Sequence, residues 1–66
     1  MSLFDYEASK MIIVKDPPFY GLIMAAMRKA DSNNLFNLKI AFPAVWVELH
    51  ERYNAPGGVL EGDQPT

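Results

Sequence analysis

The sequence predicts an all-α fold: a helical hairpin with an N-terminal helical arm, the third helix kinked at a proline, the whole assembling as an oligomeric bundle. Three observations carry this expectation. Apolar residues recur at helical spacing over Phe19–Ala30 and again over Leu35–Tyr53, the signature of a helix with one face buried. Strong caps and breakers fall between the periodic runs. A second apolar stripe leaves the hairpin helices hydrophobic on two sides, more than a chain of 66 residues can cover by itself.

The arm is expected over residues 3–15. Ser2 and Asp5 stand three apart ahead of an apolar stretch, a capping box with the shorter acid. Phe4, Ala8, Met11 and Lys15 fall on one stripe, with Tyr6, Ile13 and Val14 on another. The run Met11-Ile12-Ile13-Val14 also reads as a short buried strand, because four residues do not separate the two periods.

The first hairpin helix is expected over 17–30. Asp16 would cap it and Pro17 would occupy its first position, where a missing N–H is no loss. Phe19, Leu22, Ile23, Ala26, Met27 and Ala30 then recur at i, i+3, i+4, i+7, i+8 and i+11. Arg28 and Lys29 close the helix at its negative end. Asp31-Ser32-Asn33-Asn34 is a turn and cap too short to wander, so the next helix must fold back on its predecessor.

The third helix is expected over 33–54. Its stripe of Leu35, Leu38, Phe42, Trp46, Leu49 and Tyr53 runs straight through Pro43. A proline inside a helix removes one hydrogen bond and clashes with the carbonyl four residues back. A kink or restart is therefore expected near Ala41 to Phe42. Trp46 is placed between the hairpin helices, opposite Ala26 or Met27. Asn54-Ala55-Pro56-Gly57-Gly58 then combines the common helix terminators. Residues 1–58 are read as one helical domain and 59–66 as a flexible acidic tail.

Composition excludes several function classes. Eight acidic and six basic side chains give a net charge of −2, and the excess sits at Glu61 and Asp63. No basic surface suits duplex nucleic acid. The longest apolar run, Pro17 to Met27, is too short for a bilayer, and its proline-rich start is wrong for a signal peptide. No membrane partner and a cytoplasmic location follow as expectations. The absence of cysteine rules out disulfides and thiolate metal sites.

A search for catalytic chemistry returns no constellation. His50 is the one histidine, and Glu48 and Glu51 point away from its face at spacings of two and one. Gly57-Gly58 follows a helix and does not precede one, so it is a terminator and not a phosphate loop. No catalytic residue, metal site or cofactor is assigned, and the expected protein is not an enzyme.

Two sets of residues are assigned instead. Phe36, Ile40 and Val47, joined by Met24 on the preceding helix, form the second stripe and are read as an oligomer interface between copies of the chain. The alternative cover is the chain's own N-terminal helix, through Met11 and Ile12. Tyr20, Arg28 and Tyr53 are read as a ligand site at the oligomer seam, two rings for stacking and a guanidinium for an anion.

Pro18-Phe19-Tyr20, Leu22 through Asp31, Ala41-Phe42-Pro43, Trp46, Glu48-Leu49 and Arg52 through Gly58 together resemble a group of small, uncharacterised tailed-phage and prophage proteins. The resemblance covers residues 17–58; Phe36 and Val47 depart from it, where polar residues are expected. It implies a phage gene acting inside a bacterial cell and transfers no functional residue. The function expected on this basis is a homo-oligomeric binding protein that inhibits a host defence protein or sequesters a signalling nucleotide. The alternative is a structural or assembly accessory that docks a larger host or phage protein through its apolar helix face.

Overall fold

Local sequence signals set the ends of four α-helices in the computed structural model, which describes residues 1–63. They are α1 (Leu3–Ile13), α2 (Phe19–Lys29), α3 (Ser32–Ala41) and α4 (Pro43–Asn54), followed by a 3-10 turn at Pro56–Gly58. No strand occurs among the described residues, and Met11 to Ile13 are helical. No helix among them is long and apolar enough to cross a membrane.

Ser2 caps α1 through its hydroxyl oxygen, which accepts the Asp5 N–H at 3.2 Å. The same hydroxyl donates to Asp5 Oδ2 at 3.0 Å. A full capping box would send the carboxylate to the Ser2 N–H; here the hydroxyl takes the aspartate, which is one carbon shorter than the usual glutamate. The helix ends at Ile13, two residues before the expected limit, as Lys15 N–H bonds Ile12 O and Asp16 N–H bonds Ile13 O. These shorter-range bonds tighten the last turn.

Asp16 closes α1 and does not open α2, a correction to the sequence reading. It sits in the left-handed region at φ 49°, a conformation aspartate tolerates better than most residues. Pro18 disfavours the helical region for Pro17, so α2 cannot start there. Instead Pro18 is the cap, at φ −65° and ψ 149°, and its carbonyl accepts the first helical bond from Leu22 at 3.0 Å. Asp31 does cap α3, accepting the Asn34 N–H at 2.8 Å.

The expected break lies at Phe42, with φ −134° and ψ 63°. Phe42 N–H still bonds Leu38 O at 2.8 Å, while Phe42 O accepts from Trp46 at 3.1 Å. One residue thus ends α3 and starts α4, and Pro43 takes the first position of α4, where no N–H is needed. At the far end Gly57 and Gly58 adopt φ 64° and 70°, which glycine reaches without strain.

Helix α4 is the hub, packed on α2, α3 and the 3-10 turn, and α2 also meets α3. Met27 at 3% exposure and Leu49 at 8% are the buried residues among those described. Leu22, Ile23, Leu35, Leu38, Phe42, Val45 and Trp46 surround them half-buried. Trp46 is therefore a wall of this core and not its fully buried anchor, and Ala26 is exposed. Helix α1 approaches no other helix closely. The radius of gyration is 13.8 Å, against about 11 Å for a packed chain of this length, and the projecting arm accounts for the excess.

The acidic segment after the turn is held as far as Asp63. Arg52 donates from Nη1 and Nη2 to the two Asp63 oxygens at 2.7 and 2.8 Å. It also reaches Gly58 O at 2.9 Å and Glu48 Oε2 at 3.1 Å. Within the segment read as a flexible tail, residues 59–63 thus close a loop on α4; the rest of that reading, residues 64–66, lies outside the described residues.

Candidate binding surfaces

Packing α4 against α2 leaves a groove of about 480 Å³. Met27 and Leu49 lie at its floor, and Arg28, Trp46, His50 and Tyr53 stand around it. Trp46, His50 and Asn54 share this wall because they follow one another at i, i+4 and i+8. The Trp46 and His50 rings lie 5.8 Å apart, tilted by 33°. Lys39 Nζ sits 4.6 Å from the Trp46 ring centroid, within range of a cation–π contact. Asn54 Nδ2 donates to His50 O at 2.9 Å, which occupies the amide beside the histidine. The groove therefore offers an apolar floor, aromatic faces and a guanidinium at the rim. Among the described residues Arg28 forms no ion pair.

The structure brings together two of the three residues assigned to a ligand site. Arg28 and Tyr53 line this groove. Tyr20 lies in a second groove of about 390 Å³ at the break between α3 and α4, with Met24, Phe42, Pro43, Val45 and Glu48. Phe19 meets Tyr20 edge-on at 5.2 Å and Phe42 at 6.1 Å, which holds Tyr20 on that side. One chain alone does not bring Tyr20 to the other two.

The three residues of the second stripe are each exposed. Phe36 is 63% accessible, Ile40 64% and Val47 52%. Phe36 and Ile40 stand one turn apart on α3, and Val47 follows on α4 beyond the break. Met24, grouped with them from sequence, is half-buried in the Tyr20 groove. The arm adds a further apolar surface, since Leu3, Phe4, Tyr6, Met11, Ile12, Ile13 and Val14 are all more than half exposed.

One ion pair escaped the sequence reading. The Glu48–Arg52 pair is visible as an i, i+4 spacing, but the Arg52–Asp63 pair spans eleven residues and has no local signal. That bond, with help from the Leu60 N–H, lowers the Asp63 carboxyl to about 2. The same bond, then Glu48, raises the Arg52 guanidinium further above neutrality. Among the described residues no three potential ligands gather for a metal ion. The chain matches no protein-family model, no curated protein and no solved structure.

Proposed function

We propose that this protein is a non-enzymatic helical binding protein that works as a homo-oligomer. In this reading it is phage-encoded and acts in the cytosol of a bacterial cell, sequestering a signalling nucleotide or occupying a host defence protein. The observation that carries the proposal is the imbalance between core and surface. Two residues are buried among those described, while Phe36, Ile40, Val47 and most apolar residues of α1 are more than half exposed. Large exposed apolar area marks an interaction surface, and self-association through a two-fold axis is the commonest remedy.

The groove beside Trp46 supports the nucleotide form of the reading. Arg28 supplies a charge suited to phosphate, and Trp46 and Tyr53 supply faces on which a planar base stacks. The free apolar arm favours a second reading, an assembly accessory docked on a larger phage or host protein. Mass spectrometry of the protein purified from bacterial cells distinguishes the two. A co-purified nucleotide, lost in Arg28→Ala, supports sequestration; a stoichiometric protein partner with an empty groove supports docking. Size exclusion with light scattering tests both against the shared premise of self-association. A stable monomer at micromolar concentration refutes it.

A further inference from the structure

The backbone of helix α1 approaches no other helix closely; only its last turn, at Met11 and Ile12, borders α2 across a crevice. The helix has 11 residues, and isolated helices shorter than about 12–15 residues are marginal in water. Its side-chain hydrogen bonds and ion pair, Ser2 to Asp5 and Lys10 to Glu7 at 3.0 Å, are exposed and contribute little. The helix therefore needs an apolar cover. Phe4, Ala8, Met11 and Ile12 follow one another at i, i+4, i+7 and i+8, so they form one apolar face. The link back to α2 is short and stiff: Asp16 is left-handed at φ 49°, and Pro17 and Pro18 follow. It sets the arm beside α2 with a crevice of about 400 Å³ between them, bordered by Met11 and Ile12 on one side and Gly21, Leu22 and Ala25 on the other. The body meanwhile carries its own uncovered stripe of Phe36, Ile40 and Val47.

We infer that the arm of one copy docks on the stripe of a second copy, and that the second copy returns the exchange. The proposal rests on the self-association argued above and names its geometry. Buried area decides between the pairings. A large apolar side chain contributes roughly 100 Å² when fully covered, as its transfer free energy and the area coefficient imply. Stripe on stripe, three such side chains from each copy, buries roughly 600 Å², about half of the lower bound for a stable interface. Arm on arm, with Phe4, Met11 and Ile12 from each copy, buries a similar area and leaves both stripes in water. Reciprocal exchange makes two arm-on-stripe seams, buries roughly 1,200 Å² and reaches that bound. It alone covers both surfaces at once. Exchange of an identical element about a stiff hinge is a low-cost route to a dimer.

Mixing isotope-labelled with unlabelled full-length chain tests this directly by filtered nuclear Overhauser measurements. The expected contacts run from the Ile12 methyls of one copy to the Phe36 ring of the other. The double variant Phe4→Glu, Ile12→Glu should raise the dimer Kd by about a hundredfold or more. Trp46 fluorescence should hold, because Trp46 lines the groove between α2 and α4, to which α1 contributes no residue. A dimer whose intermolecular contacts join Phe36 only to Phe36, or whose Kd ignores the arm variant, overturns arm exchange and leaves the oligomeric reading standing. A protein that stays monomeric at micromolar concentration overturns both.

Discussion

Truncating Leu49 to alanine strikes the body where it is thinnest. Leu49 on α4 and Met27 on α2 are the buried residues among those described, and both line the Trp46 groove. Removing the leucine branch forfeits its transfer free energy and adds a cavity penalty, together ~2–5 kcal/mol in closed cores. Here the groove already opens beside the site, so the lost volume joins solvent-accessible space and little closed void forms. The lower part of that range, ~2–3 kcal/mol, is the expected loss. A folded chain of this length has ~3–10 kcal/mol in total, so the variant should lose a large fraction of its stability. Urea unfolding followed by Trp46 fluorescence reads the change, since the indole lines the same groove. Protein concentration must be fixed, because association adds to apparent stability. At a concentration low enough to suppress association, Phe36→Ala should change stability by less than ~0.5 kcal/mol, as exposed positions do. If Leu49→Ala loses under ~1 kcal/mol while Phe36→Ala loses more, the assignment of core and surface is reversed and the packing argument fails.

Asp31→Ala removes the cap on Asn34 N–H and should destabilise the chain by ~1 kcal/mol, with amide exchange rising first at the start of α3; unchanged exchange there would count against the cap. The Asp63 carboxyl is depressed from 3.8 to about 2, so the clasp on Arg52 should be complete above pH ~4 and be lost as pH falls through about 2. The Leu60 amide, bonded to Asp63 Oδ2 at 2.9 Å, reports it by chemical shift, and a midpoint at 4 or above would refute the pairing. Lys39→Gln removes the cation over Trp46 and should lower stability by ~0.5–1 kcal/mol, with a shift in indole fluorescence; an unmoved spectrum would show that the contact is not kept in solution.

The all-helical fold, the order of its elements and the interruption of the third helix near Phe42 were legible in the sequence because caps and prolines act within about four residues of themselves. That the interruption makes two separate helices is what the structure adds. Ser2, Asp31, Pro43 and Asn54–Gly58 each settle a local question of which N–H or C=O is satisfied and by what. The misplacement of Asp16 is instructive on the same scale. Two consecutive prolines restrict each other, and a rule for one proline placed the start of α2 two residues early. What tertiary structure alone decided concerns distances between elements. The separation of Tyr20 from Arg28 and Tyr53 follows from how α2 lies across α4, which puts the two sets in different grooves. Trp46 stands half-buried, and not enclosed, because α4 meets α2 over a floor with only two buried residues, Met27 and Leu49. Asp63 reaches Arg52 because the left-handed glycines turn the chain back. And α1 is a projecting arm, although its composition is that of a core helix. Periodicity states that a face must be covered; whether its own chain can reach that face depends on the hinge at Asp16–Pro18, and no pattern along the sequence encodes that direction.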